Sequence, residues 1–231
     1  MAPTVQLAQR APAPENGARD THRVPLPVED LTLSTFRVEQ LAVLHVGPID
    51  LSLTDGECLV LRGPSGSGKS LLLRAMADLL PHTGHLLLDG KPSESFRGHQ
   101  WRRQVAYLPA HSQWWFDTVG EHFPAAVDRR DLAALDLPAD VLAWDVTRCS
   151  TGERQRLGIL RLLANTPRVL LLDEPTASLD RDNIRRVEDL IDAYRQAHDA
   201  PVIWVSHDRE QATRIADQVM QLQDGRLAAA A

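Results

Sequence analysis

A glycine-rich run between an apolar strand and a helical segment constrains the fold of this chain more than any other feature. The run matches the phosphate-loop pattern G-x-x-x-x-G-K-[ST] and consists of Gly63, Pro64, Ser65, Gly66, Ser67, Gly68, Lys69 and Ser70. Residues 57–62 before it are apolar, and residues 70–80 after it carry apolar side chains at helical spacing until Pro81. A strand, a glycine loop and a helix in this order predict a phosphate-binding site.

The residue types in this run suit phosphate chemistry. Glycines let backbone N–H groups turn inward around phosphate oxygens, where side chains would clash. Lys69 is expected to supply a positive charge to the β- and γ-phosphates, and the Ser70 hydroxyl to ligate Mg²⁺. Leu71, the next residue, completes the predicted nucleotide contacts.

A second candidate site follows the apolar run 168–173, which reads as a buried parallel strand. Asp173 at its end could hold Mg²⁺ through water. Glu174 could orient and deprotonate an attacking water. An acidic pair at a strand end can instead cap a helix, but the phosphate loop upstream favours the catalytic interpretation.

Alternating strands and helices predict an α/β fold with a mostly parallel sheet. Together with the phosphate loop, this order resembles the core of a P-loop NTPase. Further short strands are expected at 86–88, 105–108, 201–206 and 219–222, with a helix over 184–197 and no folded element after the last strand. Residues 111–163 lack strand patterns and predict a helical subdomain inserted in the core. Residues 1–25 are expected to form a disordered tail, and 26–231 a single domain.

Composition excludes several classes of protein. No apolar run approaches the roughly 20 residues that a membrane-spanning helix needs. The net charge of −6 gives no general attraction to nucleic acid. No secretion signal is visible, so a cytoplasmic location is expected. Of the two cysteines, Cys58 lies in an apolar strand and is expected to be a buried free thiol.

Further motifs carry a family resemblance. The run CSTGERQR from Cys149 resembles the L-S-G-G-Q/E-x-Q-R signature of ABC ATPases, and it lies between the phosphate loop and Asp173, as in that family. The run Ser178-Leu179-Asp180 resembles the D-loop, and His207 resembles the switch histidine. The resemblance covers about residues 31–227. The segment 116–124 and Glu153 further resemble a bacterial iron-export ATPase.

The resemblance implies ATP and Mg²⁺ as cofactors and a head-to-tail homodimer with ATP at the interface. Ser150, Thr151, Gly152 and Asp180 would then contact nucleotide across that interface, where a helix N-terminus suits an anion. It also implies a transmembrane permease subunit as partner and a peripheral position on the inner face of the membrane. A soluble ABC-type ATPase without a membrane partner is the alternative, with a repair or assembly role.

Some positions depart from the family pattern. Thr151 stands where glycine is usual, and Cys149 where leucine is usual. Ala110 stands where a glutamine normally senses Mg²⁺ and water, and Gln113 could substitute for it. No aromatic residue for stacking on adenine is evident. His45 is the nearest candidate for that role.

Three consecutive aromatic residues, Trp114, Trp115 and Phe116, follow the expected glutamine loop. In ABC transporters the membrane subunit docks in this region, and tryptophan is enriched among interface hot spots. Packing of the helical insertion onto the core is the alternative. We expect Trp114 or Trp115 to be exposed in the isolated chain.

Overall fold

The computed structural model describes residues 36–124 and 127–230, so the predicted tail, residues 1–25, lies outside the described residues. The strands are β1 (Phe36–Val43), β2 (Val46–Leu53), β3 (Cys58–Arg62), β4 (Thr83–Leu88), β5 (Lys91–Pro92), β6 (Val105–Leu108), β7 (Val169–Asp173), β8 (Val202–Val205), β9 (Gln218–Gln223) and β10 (Arg226–Ala229). The α-helices are α1 (Lys69–Met76), α2 (Gly98–Gln104), α3 (Arg129–Ala134), α4 (Thr151–Leu163), α5 (Arg181–His198) and α6 (Arg209–Ile215).

The larger sheet has six strands in the order β10-β9-β3-β8-β7-β6. All neighbours from β9 to β6 pair in parallel, and only β10 runs antiparallel to its neighbour. Every residue of β7 is buried, which is expected for a parallel strand covered on both faces. The predicted α/β fold with a mostly parallel sheet is therefore confirmed.

Two apolar clusters cover the two faces of this sheet. Leu171 and Ile203 belong to the cluster that includes β1, β2, β4 and α1, whereas Leu170 and Trp204 belong to the cluster that includes α4 and α5. The division follows the two-residue period of a strand. Cys58 is a buried free thiol, as predicted, and burial raises its pKa to about 12.

A smaller antiparallel sheet in the order β2-β1-β4-β5 covers one face, and the sequence analysis missed most of it. In β1, Phe36 and Val38 are buried, while Arg37 and Glu39, which alternate with them along the strand, are partly buried. That alternation is a strand signal. It is interrupted after Glu39, where the pairing with β4 shifts register, so the periodic stretch is short.

Two predicted boundaries are wrong. The first helix ends at Met76 rather than at Leu80, because Asp78 adopts a left-handed conformation with φ of 53°. The chain also continues to fold after the last predicted strand, since Arg226–Ala229 forms β10 and pairs with β9. The turn through Asp224 and Gly225, both with positive φ, makes this hairpin possible.

Between β6 and β7 the described chain forms α3, α4 and three short 3-10 helices, at Gly120–His122, Val141–Ala143 and Val146–Arg148. One isolated β-bridge joins Thr118 to Asp145. The helical character of this stretch agrees with the sequence pattern, while its extent as a subdomain, 111–163, stays a prediction.

We expect Leu171→Ala to lower the free energy of unfolding by about 2–5 kcal/mol, because Leu171 is fully buried in the middle of strand β7. Leu44→Ala is the matched control, since Leu44 is 84% exposed and should change stability by less than about 0.5 kcal/mol. Urea unfolding of the nucleotide-free protein measures both. Equal effects of the two substitutions would contradict this assignment of the core.

Candidate functional site

The phosphate loop runs from the end of β3 to the start of α1, and glycine is required at two of its positions. Gly63 has φ of 152°, and a Cβ there would lie 2.2 Å from the Leu222 carbonyl oxygen. Gly68 has φ of 100°, and a Cβ there would lie 2.2 Å from Val46 Cγ2. Any side chain at either position would displace the loop.

Lys69 is held inside this loop. Its side chain is 6% exposed, and Nζ donates hydrogen bonds to the carbonyl oxygens of Gly63 and Pro64, each at 2.9 Å. Burial lowers the pKa of Lys69, and the negative charges of Glu174 and Asp173 act in the opposite direction. The amine therefore lies within the electrostatic reach of both acidic residues.

The other predicted loop residues surround Lys69 with varying exposure. Ser65, Gly66 and Ser70 are exposed, while Ser67, Gly68 and Leu71 are partly buried. The Ser67 hydroxyl is buried without a hydrogen-bond partner among the described residues. Ser70 lies in the first turn of α1, with its side chain open to solvent.

Asp173 ends β7 and is 5% exposed. The Tyr107 hydroxyl on the neighbouring strand β6 donates a hydrogen bond to Asp173 Oδ2 at 3.0 Å. Burial and the Asp173 charge raise the pKa of Tyr107, so its hydroxyl stays protonated as the donor. The sequence analysis did not identify Tyr107, because the two residues are 66 positions apart.

Glu174 follows Asp173 with φ of 49°, outside the regular strand conformation. Its Oε1 lies 2.9 Å from Nε2 of His207, and both side chains are partly exposed. The structure therefore brings together the predicted base and the predicted switch histidine. His207 can hold the Glu174 carboxylate in one orientation.

A buried hydrogen-bond network behind this pair was not predicted. Gln211 of α6 is 2% exposed, and its Oε1 accepts from the Ser206 hydroxyl at 2.7 Å. Its Nε2 donates to Thr176 Oγ1 at 3.1 Å and to Glu188 Oε1 at 2.8 Å. Gln211 thus ties the loop after Glu174 to the residue before His207. A glutamine one helical turn after a loop carries no local sequence signal of such a role.

The predicted signature residues lie at the start of α4. Ser150 caps this helix: its Oγ accepts from the Glu153 backbone N–H at 3.2 Å, and its hydroxyl donates to Glu153 Oε2 at 2.7 Å. The hydrogen bonds that the Ser150 hydroxyl and backbone N–H donate to the Glu153 carboxylate lower the pKa of Glu153. Thr151 is exposed, and a Cβ on Gly152 would lie 3.4 Å from Leu179.

Asp180 caps α5 and accepts hydrogen bonds from the backbone and side-chain N–H groups of Asn183, each at 2.9 Å. Asn183 also accepts from Arg156 of α4. Helices α4 and α5 are thereby joined next to the signature residues. Within the described chain no hydrogen bond or ion pair joins Ser150 or Asp180 to the phosphate loop.

The positions that depart from the family pattern have clear surroundings. Ala110 is partly buried, and Gln113 is exposed while its carbonyl oxygen accepts from Arg161 at 3.0 Å. His45 is exposed on the turn between β1 and β2, and a Cβ on Gly68 would lie 3.5 Å from its Nε2. Phe36 is fully buried and belongs to the core.

A groove lies between α2, β6 and α4. Its lining includes Arg102, Arg103, Leu108, Trp115, Phe123 and Arg161. Trp115 is 64% exposed and Phe116 is 48% exposed, whereas Trp114 is partly buried. The prediction that Trp114 or Trp115 is exposed is confirmed.

The buried imidazole of His122 fixes this aromatic segment. Its Nε2 accepts from the backbone N–H groups of Trp115 and Phe116 at 2.9 and 3.0 Å, and its Nδ1 lies 3.0 Å from the Thr118 carbonyl oxygen. The Arg161 guanidinium lies 5.0 Å from the Trp115 ring centroid. The exposed aromatic surface is therefore held in place by specific contacts.

No helix within residues 36–124 and 127–230 combines the length and apolar character that crossing a bilayer would require.

Comparison with known proteins identifies the family of this chain. A family described as ABC transporter matches residues 46–177. The "Probable iron export ATP-binding protein FetA" of Escherichia coli (strain K12) is 35% identical over 187 residues, which cover 76% of this chain and 83% of that protein. The "Aliphatic sulfonates import ATP-binding protein SsuB" of Granulibacter bethesdensis (strain ATCC BAA-1260 / CGDNIH1) is 35% identical over 184 residues, covering 78% and 74% respectively.

Among solved structures, a bacterial Atm1-family ABC exporter with ATP bound aligns with a TM-score of 0.73 at 22% identity. The alignment covers 86% of this chain and 39% of that chain, and it supports the fold. The relatives of the present chain include proteins named for import and for export, and the proteins of this family are ATPases. The matched residues contain the phosphate loop, the signature and the Asp173-Glu174 pair. The chain belongs to the ABC transporter family as an ATP-binding subunit.

Proposed function

We propose that this chain binds and hydrolyses ATP as the subunit that powers a membrane ABC transporter. One observation carries the proposal: Lys69, Asp173 and the Glu174–His207 pair lie together at the carboxyl edge of one parallel sheet. Ligands of open α/β sheets bind at that edge. The positive charge of Lys69 and the negative charge of Asp173 suit the binding of phosphate with a metal ion. The Glu174 carboxylate, held by His207, suits the activation of water.

The residues around Lys69 fit a magnesium ion. Mg²⁺ prefers oxygen ligands, and it is usually bound by one or two protein groups together with substrate phosphates. The Ser70 hydroxyl and the Asp173 carboxylate are such groups. When bound, the ion neutralises charge that develops on the phosphates.

In the proposed reaction Lys69 binds the terminal phosphates, and the backbone of residues 63–71 surrounds them. Glu174 accepts the proton of the attacking water, while His207 at 2.9 Å keeps its carboxylate oriented. The buried Gln211 network limits the movement of both loops relative to each other. His45 on the adjacent turn is the proposed contact for the adenine base.

The signature residues are proposed to act on the nucleotide of a second copy of the chain. Ser150 and Thr151 are exposed and Gly152 is partly buried at the N-terminus of α4, whose dipole suits a phosphate. Asp180 is close to the signature residues, because the preceding residues Ser178 and Leu179 lie next to Gly152. A head-to-tail homodimer would complete two ATP sites at its interface.

The groove lined by Trp115 and Phe123 is the proposed docking site for a transmembrane permease subunit. Exposed aromatics flanked by Arg102, Arg103 and Arg161 suit an amphipathic helix that carries apolar anchors and an acidic group. The chain would then act at the cytoplasmic face of the membrane, with residues 111–163 as the subdomain that receives the partner.

We expect Glu174→Gln to retain ATP binding and to lower turnover by about 10²- to 10⁴-fold, because it removes the proposed general base. The variant should also accumulate an ATP-bound dimer. Phosphate release and size-exclusion chromatography with ATP measure the two effects. Glu210→Gln, on the exposed start of α6, is the control. Turnover equal to that of the parent protein would rule out this role for Glu174.

Lys69→Ala should weaken ATP binding by roughly 1.5–3 kcal/mol, since it removes charge-assisted hydrogen bonds to the phosphates. Isothermal titration with ATP and Mg²⁺ measures the loss. Lys91→Ala, at an exposed position in β5, should bind like the parent. Unaltered affinity of the Lys69 variant would contradict the phosphate-binding role of the loop.

Trp115→Ala should leave folding and basal ATP hydrolysis nearly unchanged and abolish co-purification with a membrane partner, because Trp115 is 64% exposed in the groove. Leu79→Ala removes an exposed apolar side chain outside the groove lining and is the control. If the Trp115 variant unfolds or retains its partner, docking occurs elsewhere. If the parent protein has no membrane partner, the alternative of a soluble ATPase is favoured.

A further inference from the structure

Tyr107 connects two parts of the molecule that the proposed function treats separately. Its hydroxyl donates to Asp173 Oδ2 at 3.0 Å. In the described part of the chain no other side chain donates a hydrogen bond to Asp173. Asp173 is 5% exposed, so the hydrogen bond from Tyr107 limits how its carboxylate can turn.

The same residue belongs to the strand that borders the groove. Tyr107 lines the groove together with its neighbours on β6, Ala106 and Leu108, and with Pro109, which follows the strand. Among the described strands, β6 is the edge of the parallel sheet and forms backbone hydrogen bonds with β7 alone. A movement of β6 relative to β7 would move the Tyr107 hydroxyl relative to Asp173.

Few other polar side chains near the end of β6 could connect the groove with Asp173. Ala110, which follows β6, has a methyl side chain, and Gln113 is exposed with its carbonyl oxygen bonded to Arg161. The Ser112 hydroxyl is buried against Gly158 without a hydrogen-bond partner among the described residues. Among the described residues that line the groove, Tyr107 is the one whose side chain contacts Asp173.

We propose that Tyr107 is a positioning residue that orients Asp173 for the nucleotide-bound magnesium ion and couples this carboxylate to occupation of the groove. The inference rests on the proposed function. Coupling between two sites is reciprocal: if a partner in the groove changes the affinity for the metal ion, the metal ion changes the affinity of the groove for that partner by the same factor. A response of the groove to the metal ion and nucleotide can be followed in this chain alone.

The first experiment measures how much Mg²⁺ strengthens binding of a non-hydrolysable ATP analogue, by titration with the ion and with EDTA. Tyr107→Phe removes only the hydroxyl. The chain contains two tyrosines, and Tyr194→Phe is the matched control, because the Tyr194 hydroxyl donates to the Pro167 carbonyl oxygen at 2.8 Å. Thermal unfolding of both variants establishes that they are folded.

We expect the gain in affinity from Mg²⁺ to fall about tenfold in Tyr107→Phe, with binding in EDTA unchanged and Tyr194→Phe equal to the parent. A gain equal to the parent's in Tyr107→Phe, or an equal loss in both variants, would overturn the positioning role. If Mg²⁺ brings no gain in the parent protein itself, the proposed metal site fails, and the inference fails with it.

The second experiment follows amide hydrogen exchange in the aromatic segment 113–123. In the parent, Mg²⁺ and the analogue together should slow exchange about threefold relative to the analogue in EDTA, and Tyr107→Phe should lose this response. Equal slowing in parent and variant, or no response in the parent, would overturn the link between the metal site and the groove.

Discussion

Parallel hydrogen bonding among β3, β8 and β7 fixes where the reactive groups of this chain can lie. Val205 pairs with Leu61 on one side and with Asp173 on the other, so the three strands end at one edge. The phosphate loop follows β3, Glu174 follows β7, and the loop with His207 follows β8. A register shift in any strand would separate the groups by the rise of one residue, about 3.3 Å, which exceeds a hydrogen-bond length. The apolar clusters that hold both faces of the sheet therefore also set the distances at the site.

Behind that edge, the core contains polar groups where apolar ones would pack more simply. Gln211 and Glu188 are almost completely buried, and each is compensated by hydrogen bonds: Glu188 accepts from Arg214 at 2.6 and 2.7 Å. A buried carboxylate without such partners would be costly. The satisfied network makes the loops that carry Glu174 and His207 one mechanical unit, so the geometry of this pair is not left to two independent flexible segments.

Local pattern was sufficient for the phosphate loop, for Asp173 and Glu174, and for the buried strands, because each of these depends on neighbours in sequence. The hairpin of β1 and β2, the strand β10 and the end of α1 depend on less local causes: a register shift near Glu39, a pairing with β9, and a left-handed Asp78. Tyr107 and Gln211 could not be assigned, since their partners are 66 and 35 positions away. The proposed roles of the phosphate loop, Asp173 and Glu174 came from the local pattern, whereas the role of His207, the signature contacts and the dimer came from the resemblance. A single chain leaves all of them as proposals.

The cap of α4 has a consequence for how selective the signature surface is toward anions. The carboxylate of Glu153 already accepts from the hydroxyl and the backbone N–H of Ser150, at 2.7 and 2.8 Å. The Glu153 carboxylate thus already accepts hydrogen bonds from the donors that a phosphate would use. Because Glu153 is part of the same chain, its effective concentration at these donors is high, and a free anion would have to displace it. In the proposed dimer, small anions present at low concentration would lose that competition. A phosphate held by the facing subunit would itself be tethered, so it would meet the competitor on equal terms.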